Sequence, residues 1–321
     1  MTARVALGFD TSCYTTSAAA VNDRGEVLAS SRMLLPVPAG QRGLRQSEAV
    51  FAHVRQMPAV MDNLAPALKE ARIVAVCASV APRPEADSYM PVFGVGYAHA
   101  RVLAAALGAA FFETTHQQGH IAAGLVDGGP MPSRFVALHV SGGTTDVLLS
   151  DGERLTPLGG SADLHAGQLV DRVGVALGLG FPAGPQLEQL ALQANARALL
   201  PASLEADGLT CHLSGAETQA QRLIQAGSLS REQIAAEVYD LLARTLSRLL
   251  DAACRRERVD EALVVGGVAS SQLLRRLMDQ RLRRLRAPFR VRYGQPQYSA
   301  DNAVGVASIG MRAYLASQPT S

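Results

Sequence analysis

Apolar and polar positions along the chain fall into two alternating-strand blocks, each followed by longer stretches of helical period. Residues 8 to 31, GFDTSCYTTSAAAVNDRGEVLASS, read as an apolar strand, a hydroxyl-rich turn, a second strand opened by Thr-Thr, the polar turn NDRGE and a third strand. Residues 139 to 160, HVSGGTTDVLLSDGERLTPLGG, follow the same plan, with Ser-Gly-Gly at the first turn and SDGE at the second. Both predict β-meanders, and in both a Thr-Thr pair follows the first turn.

The first block is followed by a helical pattern over residues 45 to 71, expected to break near Pro58. Next come a buried strand, RIVAVCASV, and a helix entered through Gly94 and Gly96. The strand AAFFETT then leads to a helix from His116 to Leu125. The second block is followed by a helix in DLHAGQLVDRVGVALGLG that ends at glycine, and by the turn FPAGP. A long amphipathic helix, SREQIAAEVYDLLARTLSRLLDAACRR, precedes a strand, Gly-Gly turn and helix in EALVVGGVASSQLLRRLMDQRL. Asp301 is expected to cap a last helix. The repeat predicts two tandem α/β domains, 1–128 and 129–321, with the last helix packing back on the first domain. This is the layout of the actin-like, Hsp70-like and sugar-kinase-like (ASKHA) fold. In that fold nucleotide phosphates lie in an interdomain cleft between the two first turns, where glycine and hydroxyl residues let backbone N–H groups approach.

Composition narrows the chemistry. The 321 residues are 48% hydrophobic and 18% charged, which suits two globular cores. Net charge is +2, but Lys69 is the only lysine. A catalytic or phosphate-binding lysine is therefore nearly excluded, and there is no P-loop. Cys13, Cys77, Cys211 and Cys254 form no CxxC pair, which argues against a disulfide framework or zinc ribbon. The start of the chain enters a strand without a signal-peptide pattern, and no apolar run reaches the roughly 18 residues a span requires. A cytoplasmic location with no membrane partner is expected.

Three features carry chemistry. THQQGH places His116 and His120 at i and i+4, on one helix face, where they can hold one metal. The glutamate base of an H-E-x-x-H peptidase is absent, its place taken by Gln117. Two histidines leave a shell incomplete, and Asp301 is the candidate third ligand, with N-cap as its structural alternative. Gly266-Gly267 and Ser141-Gly142-Gly143 each end a strand and suit close approach of a phosphate or ring. A run of arginines from Arg275 to Arg292 suits either RNA phosphates or a solvated helix face.

Taken in order, these pieces resemble the tRNA threonylcarbamoyladenosine synthase family, TsaD in bacteria, over essentially the whole chain. The family's ETSCDET resembles Asp10 to Thr16, its HMEGH resembles His116 to His120, and its SGGHTQL resembles Ser141 to Val147. DDAAGEAFDK is similar to Asp163 to Arg172, YPGGP to Phe181 to Pro185, and FSGLKT to Leu213 to Thr218. GGVAAN is similar to Gly266 to Ser271, and TDNA to Ala300 to Ala303. The resemblance implies one iron or zinc ion on His116, His120 and Asp301. It also implies an adenine nucleotide (threonylcarbamoyl-AMP, ATP or ADP) with phosphates toward Ser141, Gly142, Gly143 and Thr144 and ribose toward Asp171. Gly184, Gly267 and Ser271 would lie beside sugar and base, and Asp10 and Ser141 would serve catalysis. The family reaction is attack by N6 of an anticodon-loop adenosine on the donor's carbamoyl carbon, which implies tRNA and a TsaB-like paralogous subunit as partners.

Several positions depart from the family pattern. Tyr14, Leu164, Gln168, Glu217 and Ser271 replace an acid, an aspartate, a glutamate, a lysine and an asparagine, and Ala81-Pro-Arg-Pro84 replaces a Gly-Pro-Gly stretch. Two readings follow. One is a metal-dependent carbamoyl or threonylcarbamoyl transferase with an adenylate donor, altered on the acceptor side. The other is a non-catalytic nucleotide-binding paralogue that partners or regulates the modification complex. A zinc peptidase lacks its base, and a sugar kinase has no role for the histidine helix.

Overall fold

A computed structural model describes residues 2–12, 14–36, 44–85, 88–129, 131–152 and 154–319, so Cys13 lies outside the described residues. The chain forms two compact units, Met1–Asp127 with Gln297–Ser321, and Gly128–Pro296.

In the first unit, β1 (Ala3–Asp10), β2 (Thr15–Asn22) and β3 (Val27–Leu34) form an antiparallel meander. Then come α1 (Gln46–Leu68), β4 (Ala71–Ala81), α2 (Phe93–Leu107), β5 (Ala110–Thr115) and α3 (His116–Gly124). Strands β4 and β5 join parallel to β1, giving the order β3-β2-β1-β4-β5. Side chains alternate across β1 as the pleat requires. Val5, Leu7 and Phe9 pack with Met57, Val60 and Leu64 of α1 and with Ala100 and Ala104 of α2. The opposite face, through Ala6, packs with Ala75 and Met311.

The second unit contains β6 (Arg134–Val140), β7 (Thr145–Asp151), β8 (Arg154–Ser161), α4 (Ala166–Ala176), α5 (Gly184–Ala191), β9 (Ser203–Leu204) and β10 (Thr210–His212). It continues with α6 (Ser214–Ala226), α7 (Arg231–Glu257), β11 (Glu261–Val265), α8 (Gln272–Arg284) and β12 (Arg290–Tyr293). The short α9 (Pro296–Ser299) and α10 (Val304–Ser317) close the chain. The sheet order is β12-β11-β6-β7-β8-β10-β9. Its segment β8-β7-β6-β11-β12 has the same strand order and directions as β3-β2-β1-β4-β5. The duplicated meander is therefore a duplicated fold unit.

The structure differs from the sequence reading at Pro58, in the register of the Thr-Thr pairs and at the Asp301 cap. Helix α1 runs through Pro58 without a break. The carbonyl that Pro58 leaves unpaired belongs to Val54, which is 46% exposed, so water can satisfy it. Helix α2 begins at Phe93, with Gly94 and Gly96 in its first turn. The Thr-Thr pairs do not occupy one register. Asp10 pairs with Ser17 across residues 11–16, whereas Val140 pairs with Thr145 across residues 141–144. Helix α10 belongs to the compact unit formed with residues 1–127. A side chain at Gly8 would overlap the α10 backbone at Ala303 and Ala307, and one at Gly310 would fall 2.6 Å from Cys77 Cβ, so glycine lets α10 press directly on β1 and β4. Finally, Asp301 does not cap α10. The N-cap residue is Ala303, and Asn302 just before it satisfies the first turn, its Oδ1 accepting from Val304 N–H at 2.9 Å while its Nδ2 donates to Tyr298 and Ala300 carbonyls. No helix among the described residues is long and apolar enough to cross a membrane.

Candidate functional site

The turn after β5 fixes the start of the histidine helix. Thr115 has extended backbone and accepts from Gln118 N–H at 3.3 Å, while the Gln118 side chain accepts from Thr115 N–H at 3.0 Å. This reciprocal capping box sets His116 in the first turn. Gln117, the residue in place of a peptidase glutamate, is buried, and its N–H donates to Pro82 O at 3.0 Å. Helix α10 crosses α3 where both carry glycine. A side chain at Gly305 would overlap Gly119 O and fall 2.6 Å from Ala123 N. That close approach brings Asp301, just ahead of α10, to the histidines.

His120 Nε2 lies 3.1 Å from His116 Nε2 and 3.2 Å from Asp301 Oδ1, and His116 Nε2 lies 3.7 Å from the same oxygen. Ligands at about 2.0–2.1 Å from a tetrahedral zinc stand roughly 3.3 Å apart, so the three atoms are spaced as ligands of one ion. Two imidazoles and one carboxylate also leave coordination positions for another group, unlike a closed structural site. The donor set thus fits iron or zinc.

Asp10 holds this cluster from behind. It is fully buried at the end of β1 and accepts from Ser12 Oγ at 2.6 Å, from Ser79 Oγ, and from His116 Nδ1 at 3.2 Å. With Nδ1–H given to Asp10, a neutral His116 presents its lone pair at Nε2, toward His120 and Asp301. Burial would raise the Asp10 carboxyl, yet His116, Ser12 and Ser79 hold it below the ordinary carboxylate range. Burial would likewise lower the His116 imidazolium, yet Asp10 and then Asp301 outweigh it and raise its pKa to about 9. Ser79 escaped the sequence reading. A lone hydroxyl in the apolar run AVCASVA beside β1 was the available signal.

In the second unit, Ser141, Gly142, Gly143 and Thr144 form the turn between β6 and β7, closed by Ser141 N–H donating to Thr144 O at 2.8 Å. Among the described residues no acceptor is paired with the Gly142 and Gly143 N–H groups, and space beside both glycines is open. The N-terminus of α4 abuts this turn, with Gly167 N–H donating to Ser141 O at 3.2 Å and Ala166 N–H to Thr145 Oγ1 at 2.8 Å. A side chain at Gly167 would fall 2.6 Å from Gly142 Cα. Asp171 lies one helical turn beyond Gly167, on the same face. Its Oδ1 accepts from Ala183 N–H at 2.8 Å, and burial raises its pKa against that bond.

Gly266 and Gly267 follow β11, which is parallel to β6, so they sit at the same end of the sheet as the Ser141 turn. Gly266 (φ 102°) is structurally required, since a side chain there would overlap Val140 O. Space beside Gly267 is open. Ser271 is mostly buried and caps α8, its Oγ accepting from Leu274 N–H at 3.1 Å. Tyr239, another residue the sequence reading missed, links this group. Its OH donates to Gly184 O at 3.1 Å, and Ser271, Asp171 and Glu188 lie close enough to act on it. Its only sequence signal was a polar-tipped aromatic on the buried face of α7.

Comparison with known proteins gives this geometry a family. The TsaD family, described as tRNA N6-adenosine threonylcarbamoyltransferase, matches residues 48–308. Over 319 residues the chain is 30% identical to the tRNA N6-adenosine threonylcarbamoyltransferase of Thermus thermophilus, covering 98% of this chain and 94% of that relative. Among solved structures it resembles component A of (R)-2-hydroxyglutaryl-CoA dehydratase from Acidaminococcus fermentans, with a TM-score of 0.58 and 15% identity over 97% of this chain and 99% of that one. It also resembles full-length HypF in its phosphate- and nucleotide-bound form, with a TM-score of 0.62 and 12% identity, covering 99% of this chain and 47% of HypF. At such identities the structural likeness carries the fold alone, which is α/β of the ASKHA type. The match along most of its length, together with the identity to the Thermus protein, means that the chain belongs to the TsaD family of tRNA N6-adenosine threonylcarbamoyltransferases.

Proposed function

We propose that this chain is a metal-dependent threonylcarbamoyl- or carbamoyl-transferase-type protein that uses an adenylate donor and acts in, or derives from, N6-threonylcarbamoyladenosine formation in tRNA. The observation that carries the reading is the convergence of His116, His120 and Asp301 on one point, backed by Asp10. A bound iron or zinc ion there would supply Lewis acidity toward carbonyl and phosphate oxygens. Asp10 orients His116 and keeps its Nδ1 protonated. In the second unit the Gly142 and Gly143 N–H groups, with Thr144 and Ser141 Oγ, suit phosphate oxygens. Asp171 uses one oxygen to hold Ala183 and offers the other to a ribose hydroxyl, with Gly184 and Gly267 leaving room for sugar and base. Ser271 joins this site as a support for Tyr239 and α8.

A specific observation favours the non-catalytic reading. Positions where the family carries charged or amide groups here do local structural work. Leu164 is buried in the core, the Gln168 side chain accepts from His165 N–H at 3.1 Å, and Ser271 caps a helix. Glu217 accepts from Gln221 at 3.1 Å on α6. The separating experiment supplies threonylcarbamoyl-adenylate and unmodified tRNA and reads nucleoside products by mass spectrometry, with calorimetric titration of ADP in parallel. Transfer supports the enzyme reading. ADP binding without transfer supports the partner reading, and no ADP binding overturns both.

A further inference from the structure

Apart from the exposed Arg276 on α8, the arginines of the run, together with Arg258 at the end of α7, separate into two populations. Arg275 is fixed by the Ala269 and Gly294 carbonyls at 2.6 and 2.7 Å, Arg281 pairs with Asp240, and Arg292 pairs with Glu261 at 3.1 Å. These three hold the fold. Arg258, Arg283, Arg284, Arg286 and Arg290 are exposed, and among the described residues no side-chain hydrogen bond or ion pair engages them. They gather at one place. Arg255 Nη2, near the end of α7, donates to the Leu285 and Arg286 carbonyls at the end of α8, at 3.3 and 3.4 Å. Arg290 N–H donates to Asp260 O at 2.8 Å, two residues beyond Arg258. Of the neighbouring carboxylates, Asp251 is engaged by Arg255, Glu257 by Arg134 and Glu261 by Arg292, while the exposed Asp260 carboxylate is outnumbered by the five guanidiniums.

A second observation concerns the backbone. Arg258 and Arg286 end α7 and α8 in the left-handed region, at φ 53° and 52°. Helices α2 and α6 end the same way, but with Gly108 and Gly227. A non-glycine residue is strained in that conformation. Attraction between arginine and a helix C-terminus can offset the strain but does not account for five unpaired guanidiniums together. Exposed guanidiniums without carboxylate partners suit a polyphosphate chain.

We propose that Arg258, Arg283, Arg284, Arg286 and Arg290 form a docking surface for an RNA sugar–phosphate backbone. It rests on the tRNA-modification reading for the identity of the RNA. The test is binding of an unmodified tRNA transcript, followed by fluorescence anisotropy from about 50 to 300 mM salt. For Arg283→Gln/Arg284→Gln/Arg286→Gln, affinity should fall about tenfold or more, and the slope of log K against log salt should flatten by roughly 2–3. Arg258→Gly/Arg286→Gly should weaken binding while leaving the thermal midpoint unchanged or higher, a combination that a purely structural role does not produce. Arg24→Gln/Arg154→Gln, exposed arginines elsewhere, should bind as wild type. Wild-type affinity and slope in the triple variant, or an equal loss in the control, overturns the surface alone. If the wild type binds no tRNA even at low salt, both the surface and the tRNA part of the proposed function fall.

Discussion

Asp10 and Asp301 are both carboxylates beside a histidine pair, yet their neighbourhoods give them different work. Asp301 faces the Nε2 atoms, whereas Asp10 faces only Nδ1 of His116 and is held by two serines. Asp301→Ala should therefore abolish metal binding. Asp10→Asn should weaken it about 10- to 100-fold while leaving the ligands in place, as read by competition with a chromophoric chelator. The pH behaviour follows from the same pair. In the metal-free protein the folded-state pKa of His116 is raised, so its stabilising contribution is complete below about 6.5 and is lost as pH rises through about 9. The same contact seen from Asp10, whose pKa is depressed, is present above the ordinary carboxylate value and is lost as pH falls through the folded value. Metal must displace the His116 proton, so metal affinity should rise with pH up to about 9 and stability should then become less dependent on that titration. Flat metal affinity from pH 6 to 9 would contradict this. The i, i+4 spacing made the histidines visible in the sequence. The role of Asp10 was hidden because Ser79 and His116 are 69 and 106 residues away, joined to it only by strand pairing.

Between α3 and α10 the decisive feature is missing side chains. Gly119 and Gly305 let the two backbones touch, which sets Asp301 against the histidines. Gly305→Ala should cost about 1–3 kcal/mol by urea denaturation, or more where the helices cannot part, and should lower metal content as well. Asn302→Ala provides the contrast. It removes the side-chain acceptor at the first turn of α10, for about 1 kcal/mol, but no metal ligand, so it should lower stability with metal content kept. The sequence located α10 but gave Asp301 the role that Asn302 fills at its first turn, because Asp and Asn accept backbone N–H bonds equally well and stand side by side. Pro58 likewise signalled a break that solvent exposure of Val54 made unnecessary. Such choices depend on what surrounds the helix, which local pattern does not contain.

Across the whole chain, the two meanders in the sequence corresponded to two sheets with a shared strand order, because alternation and turn chemistry are local signals. The register difference between residues 11–16 and 141–144 was not legible, since pairing partners rather than residue types set it. The substitutions that separate this chain from its family pattern lie mostly in the second unit and at Tyr14. Tyr14 O accepts from Leu35 N–H at 2.7 Å, which fixes the Tyr14 backbone just ahead of β2, on the turn that follows Asp10. Where the wild type binds ADP without transfer to tRNA, Tyr14→Asp/Glu217→Lys is the first variant expected to restore transfer, read as modified nucleoside by mass spectrometry; a variant that binds ADP and still makes none would show that these two positions do not account for the loss.

The most direct test of the metal reading is elemental analysis of protein purified without chelators. One iron or zinc per chain is expected in the wild type and none in His116→Ala/Asp301→Ala, with both folded by circular dichroism. A wild type that takes up no metal, or a double variant that stays fully loaded, would contradict the account.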